Sequence, residues 1–188
     1  MNRTIYTIGH SNHTVEKFIG LLKNHSIDVV ADVRSNPYSR YASQFNKKDI
    51  QRYIQNNGMK YLFTGGETGG KPSNSQYYDS DGFVLYSRIA ESPLFKEGIT
   101  RLMKGIKQYR VALMCSEENP ATCHRSLLIG KVLIDHGIDV LHIRGDGRIQ
   151  SEKDILKENN MLQKNEVQQN LFDLKKSEEW KSIRPVLK

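Results

Sequence analysis

The sequence predicts an α/β fold: a single domain on a mostly parallel sheet of about five strands, with helices on both faces. Three observations predict it. Short, nearly continuous apolar runs alternate with stretches of helical apolar spacing four times over. A length of 188 residues suits one domain with an adequate core. Polar clusters follow the strands, and open α/β sheets bind ligands outside the carboxyl ends of their strands.

The elements follow in order. Ile5-Tyr-Thr-Ile8 is a short β-prone run broken by Gly9-His10-Ser11. From Thr14, the residues Val15, Phe18, Ile19, Leu21 and Leu22 recur at helical spacing to about His25. Residues 27–33 form a second buried strand that ends in Arg34-Ser-Asn-Pro37. Ile50, Tyr53 and Ile54 share one face of a weaker helix around 47–57, which Gly58 stops as a C′ glycine. Lys60-Tyr-Leu-Phe63 is the third strand. Residues 64–81 are a long irregular loop, and loops of that length in a compact domain are often lids or binding loops. Its Gly70-Lys71 pair precedes Pro72 where a phosphate-binding P-loop needs Ser or Thr, so it is not one. A helix over 95–108, a strand over 111–115, a helix over 126–136 closed by Gly137 and a fifth strand over 138–143 complete the alternation. The α/β domain is expected over 1–145. Residues 146–188 turn polar and mixed in charge, and a weak helix with an extended or mobile tail is expected there.

The formal charge of +7 and pI of about 9.3 favour phosphate-bearing partners, and equally fit a basic surface kept for solubility. Ordinary apolar content and nine tyrosines exclude wholesale disorder. No apolar stretch is long enough to span a bilayer, and the first residues lack a signal h-region. A cytoplasmic protein with reduced thiols is expected, with no membrane partner.

The most informative stretch is Arg110-Val-Ala-Leu-Met-Cys-Ser-Glu-Glu-Asn-Pro-Ala-Thr-Cys-His-Arg-Ser126. A buried strand delivers a loop to a helix start, with both cysteines of the chain in that loop. Thr122 suits the N-cap, which puts Cys123 and His124 in the first turn. Unpaired N–H groups and the helix dipole favour a thiolate there. Arg125, with Arg34 after the second strand, is expected to grip an anion. Cys115, Cys123 or His124 would supply nucleophilic or acid–base chemistry, and Glu117 would orient His124 or take a proton. His10, Ser11 and Asp32 complete the rim by topology alone. Plainer readings stand beside these. Each cysteine also fits a small buried hydrophobe, either arginine a structural partner of Asp32 or Glu117, and His10 a turn residue. Cys115, Cys123, His124 and His10 also offer thiolate and imidazole ligands to zinc or iron, although a spacing of seven residues between the cysteines is no zinc-finger signature. Tyr38, Arg40, Tyr41 and Phe45 interleave cations and aromatics as nucleic-acid platforms do.

Gly9-His10-Ser11, Asp32-Val33-Arg34 with Pro37 and Ser39, and Ala112-Leu-Met-Cys115 with Glu117, Pro120 and Cys123-His124-Arg125 carry a resemblance. In that order, from residue 4 to about 143, the chain resembles the bacterial and archaeal family catalogued as domain of unknown function 488. The resemblance implies a compact α/β fold and a shared polar site, and little about reaction. Asn36 departs from the apolar or basic residue many relatives carry before the proline.

Gln168-Gln-Asn-Leu171-Phe172 resembles the short peptide by which bacterial proteins dock on the DNA sliding clamp, though five-residue motifs also recur by chance. The functional expectation is an enzyme, a transferase or hydrolase with a cysteine or histidine at work on a phosphate-bearing substrate such as a nucleotide or nucleic acid. The alternatives are a non-catalytic nucleic-acid-associated module and a zinc- or iron-binding protein using the same residues. The sequence names no cofactor.

Overall fold

The structure, a computed structural model, describes residues 4–157 and 179–186. Six strands form one sheet: β1 (Thr4–Gly9), β2 (Val29–Asp32), β3 (Lys60–Phe63), β4 (Val111–Cys115), β5 (Asp139–Ile143) and β6 (Ile149–Ser151). Their order across the sheet is β3-β2-β4-β1-β5-β6, parallel throughout except for β6, which runs antiparallel to β5. The α/β fold with a mostly parallel sheet is thus as the alternation predicts. The sixth strand is additional. Ile149-Gln-Ser151 is too short and too polar to show a strand period, and it is placed by its pairing with β5.

The helices are amphipathic and settle on opposite faces. α1 (Val15–Asn24) is capped by the Thr14 hydroxyl accepting from the Lys17 N–H, and α2 (Lys47–Asn56) presents Ile50 and Ile54. Phe18, Leu22, Ile50 and Ile54 pack with Ile8, Val30, Ala112 and Met114 on one face. α5 (Pro93–Gly105), with Pro93 at its start and Ser92 as cap, packs Phe95, Ile99 and Leu102 against Ile5, Ala31, Val111 and Leu113 on the other. Two short helices, α3 (Gly65–Thr68) and α4 (Tyr86–Glu91), precede α5. α3 lies within the segment expected to be wholly irregular.

The helix expected over 126–136 differs. Arg125–Gly130 is a π-helical turn, and only α6 (Lys131–Asp135) is regular. The wider turn buries Arg125, Ser126, Leu128, Ile129 and Gly130 together, a broader arc than an α-helical stripe provides.

After β1 the chain leaves to α1 on one face, and after β4 it leaves to the π turn on the other. β1 and β4 are neighbours, paired Gly9 to Cys115. Their carboxyl ends are therefore a topological switch point, where such sheets open a crevice. Close to it, a Cβ on Gly9 would sit 1.9 Å from the Glu117 carbonyl oxygen, so only glycine lets the 115–118 loop cross there.

Residues 179–186 lie across the front of α4. Lys181 bridges to Leu85, the Ser182 N–H donates to the Val84 carbonyl, and the Trp180 indole donates to the Leu127 carbonyl at 2.7 Å. Gln168, Leu171 and Phe172, the clamp-like motif, lie outside the described residues. Among the described residues no helix is long and apolar enough to cross a membrane.

Candidate active site

Strand alternation divides the site residues between the two faces of the sheet. Asp32 and His10 follow the face of α1 and α2. Cys115, with Thr7, follows the face of α5 and the π turn.

On the first face, Asp32 is fully buried and holds Arg34 in a fork. Arg34 Nε donates to Oδ1 at 2.9 Å and Nη2 to Oδ2 at 2.7 Å, while the Tyr61 hydroxyl donates to Oδ2 at 2.7 Å. Arg34 Nη2 also donates to the Phe45 carbonyl, and Nη1 donates to His10 Nε2 at 3.1 Å. Because Nε2 accepts, the His10 proton sits on Nδ1, which donates to the Ser11 carbonyl at 2.8 Å. The ring stacks on Phe45 at 4.3 Å between centroids. Asp32 thus fixes Arg34, and four of the five guanidinium N–H groups are committed. One Nη1 hydrogen remains for a ligand.

Burial, and then the Arg34 charge, hold the His10 imidazole down from 6.5 to about 4. In the unfolded chain His10 takes a proton as pH falls below 6.5, and in the fold only near 4. Its contribution is whole above pH 6.5, is lost as pH falls from 6.5 to 4, and changes no further below that. The loss totals at most about 3 kcal/mol. Denaturant unfolding of wild type and His10→Asn across this range is expected to show the stability difference shrinking toward pH 4. A constant difference would remove the assignment.

On the second face, His124 Nε2–H donates to the Val33 carbonyl at 3.0 Å. That leaves Nδ1 facing both sulfurs, at 3.8 Å from Cys115 Sγ and 3.8 Å from Cys123 Sγ. Gly70 backs the ring so closely that a Cβ there would lie 2.5 Å from it. The Cys115 thiol is pulled well below its ordinary range by a hydrogen bond from Cys123 and by the His124 and Arg125 charges, against its burial. Cys123 is pushed well above that range by burial and by Cys115. Burial alone would lower His124, but the Cys115 charge and the Val33 carbonyl raise it. These directions favour a negative charge on Cys115 and a positive one on His124, with Cys123 kept as a thiol.

Arg125 does not grip a ligand. It is wholly buried, donating from Nε to Thr7 Oγ1 at 3.1 Å, from Nη1 to the Glu117 carbonyl and from Nη2 to the Glu118 carbonyl at 2.5 Å. The π turn directs it inward. No carboxylate touches it among the described residues. Its charge lowers both the Cys115 thiol and the Glu118 carboxyl, and a hydrogen-bonded relay runs from it to Glu152. Thr7 Oγ1 accepts from Arg125 and so donates to His142 Nδ1 at 2.7 Å. His142 Nε2–H donates to Glu152 Oε2 at 2.6 Å, and Ser126 donates to Oε1 at 2.5 Å.

The two faces meet over a cavity of about 560 Å³. Of the residues predicted from sequence, Arg34, Cys115, Glu117 and His124 line it. His10, Asp32, Cys123 and Arg125 stand behind these, and Ser11 turns to Asn12. Glu117 does not touch His124. Its carboxylate accepts from Arg184 Nη2 at 2.6 Å, and Val33 orients the imidazole instead. Ser35, Lys71, Ser116, Ser182 and Arg184 also line the cavity, and sequence reasoning missed them as site residues. The turn at Gly70-Lys71-Pro72 was a visible signal for Lys71. Arg184, on a segment without periodicity, offered none. Phe45 is buried under His10, whereas Tyr38 on the cavity wall is 65% exposed and Tyr41 fully exposed.

Cys115, Cys123 and His124 bring three donor atoms within 4.8 Å of one another, a set suited to zinc with one position open. His10 is not a fourth ligand, because both its nitrogens are engaged by Arg34 and Ser11. No curated protein and no solved structure matches the chain. A model of the family described as domain of unknown function DUF488 matches residues 14–132, more than half its length, and the chain belongs to that family.

Proposed function

We propose that this protein is an enzyme in which the Cys115 thiolate attacks a phosphate-bearing substrate and His124 returns a proton to the leaving atom. One observation carries the reading. The sulfur on the cavity floor has a thiol donor, an imidazole and a buried guanidinium around it, while its partner Cys123 has no opening to the cavity. Cations supply the anion site: the free Nη1 hydrogen of Arg34, Arg184, and Lys71, whose ammonium has no partner among the described residues. Tyr38 at the wall and Tyr41 nearby offer flat faces to a base, which supports a nucleotide or nucleic-acid substrate.

The test is the rate of iodoacetamide alkylation against pH, read by mass on the intact protein. Wild type is expected to label at one site near neutral pH, with a midpoint well below that of an ordinary thiol. Cys115→Ser is expected to lose this label and Cys123→Ser to keep it. A nucleoside monophosphate should slow labelling, and Arg184→Gln should weaken that protection. Two inert thiols with anion binding intact would favour a non-catalytic binding module.

A second reading rests on the three-donor cluster: a zinc-type ion held by Cys115, Cys123 and His124, with its open position toward the cavity. Elemental analysis decides it, together with the effect of a chelator on alkylation. The clamp-docking segment remains a proposal on sequence alone, tested by titrating its peptide against the clamp.

A further inference from the structure

The reaction proposed above gives Cys123 no work. It is a buried thiol with no access to the cavity, yet its sulfur lies within 4.8 Å of the Cys115 sulfur and 3.8 Å from the same imidazole nitrogen. A sulfur placed this way has one thing within reach, which is the other sulfur. We propose that the pair is a peroxide-modification site in which Cys115 is oxidised and Cys123 resolves it as an intramolecular disulfide. The proposal rests on the thiolate reading of Cys115.

The chemistry balances on hydrogen peroxide as the oxidant. Cys115 Sγ attacks one peroxide oxygen, the S–O bond forms, the O–O bond breaks, and hydroxide leaves to become water with the His124 proton. Cys115 is now a sulfenic acid, oxidised by two electrons. Cys123 gives its proton to His124 Nδ1 and attacks the Cys115 sulfur. The S–S bond forms, the S–O bond breaks, and the departing hydroxide takes that proton as a second water. One peroxide has become two waters and two thiols one disulfide.

The geometry meets the needs of each step. The cavity of about 560 Å³ admits a molecule as small as peroxide to Cys115. His124 Nδ1 stands equally far from both sulfurs, so one nitrogen serves both proton transfers, and Val33 holds the ring in that position. The two sulfurs lie within 4.8 Å of one another and both face His124, so attack needs only a short side-chain movement. Cys123 has extended backbone and follows a short 3-10 turn at Pro120–Thr122, outside the regular helix, where a side-chain rotation breaks no helical bond. Closing the bond brings the two sulfurs to about 2 Å. The thiolate that the proposed reaction needs is then masked, and reduction restores it.

The experiment treats the full chain with hydrogen peroxide and reads the intact mass and free thiols after unfolding. Wild type is expected to lose two hydrogens and both free thiols within one chain, and dithiothreitol should restore both. Cys123→Ser is expected to gain oxygen atoms at Cys115 and pass to the sulfinic acid, which dithiothreitol does not reverse. Cys123→Ala, which leaves no hydroxyl behind, should read the same. Cys115→Ser should keep its remaining thiol. If wild type gains oxygen as Cys123→Ser does, or links two chains, the inference is overturned while neutral-pH alkylation still upholds the thiolate reading. If Cys115 is inert to iodoacetamide and peroxide alike, both fall together.

Discussion

Methionine in place of Arg125 is expected to destabilise the fold by about 2–6 kcal/mol, through buried acceptors left without a donor, and to return the Cys115 thiol toward its ordinary range. Arg125 is the largest fully buried side chain of the described residues, and its fork reaches Thr7, Glu117 and Glu118 from three directions. Methionine fills similar volume and bonds to none of them. Two carbonyls of the 117–118 loop lose their donor, each at a cost of about 1–3 kcal/mol when no water replaces it. Thr7 loses the donor that fixes its hydroxyl toward His142, which loosens the relay to Glu152. The thiol effect has a definite sign. A buried cation beside Cys115 favours the thiolate, so removing it raises the pH at which the sulfur ionises. Alkylation of Arg125→Met is therefore expected to move its midpoint to higher pH, with denaturant unfolding reporting the stability loss. Arg125→Lys separates the two effects. It keeps a charge near Cys115 but cannot reach three acceptors from one ammonium, so it should recover the midpoint more than the stability. An unchanged midpoint in Arg125→Met would show that the buried charge does not govern the sulfur.

Much of this site is legible in the chain because parallel strands deliver their last residues to one rim. Gly9, Asp32 and Cys115 end three neighbouring strands, so His10, Arg34 and the 115–125 loop have to meet there. What the chain conceals is direction. Asp32 and Cys115 point to opposite faces, which depends on where each strand starts its alternation. A slip of one residue reverses it. Arg125 follows His124 in sequence and reads as a second cation for the ligand, but the π turn aims it inward at Thr7 and the 117–118 carbonyls. A helical spacing of 3.6 could not show that. Glu117 reads as the partner of His124, and it is drawn instead to Arg184, sixty-seven positions along the chain. The contacts of Arg184 and β6 are fixed by tertiary packing and leave no periodic trace.

Alanine at Asp32 should be among the most damaging single changes, about 3–5 kcal/mol, because it strands a buried guanidinium rather than because the pair itself is strongly stabilising. Arg34 is 5% exposed and its fork closes on Asp32, with the Tyr61 hydroxyl sharing the same carboxylate. Without Asp32 the cation keeps only the Phe45 carbonyl and the neutral nitrogen of His10. Asp32 also raises the His10 imidazole slightly against the Arg34 charge, so its removal should push that group further down and carry the acid loss of stability to lower pH. Asparagine offers a harder test than alanine. It keeps the volume, but turns an N–H toward donors and removes the charge, so it should recover little. The decisive comparison is Asp32→Ala combined with Arg34→Met. If the cost of the single change is the desolvated cation, deleting that cation as well should recover a large part of it, and the double variant should be more stable than the sum of the two singles predicts. Additive losses would mean that Arg34 finds solvent or another partner through the cavity once Asp32 is gone. In that case the remaining guanidinium should strengthen nucleotide protection of Cys115 in Asp32→Ala, which the alkylation assay reads directly.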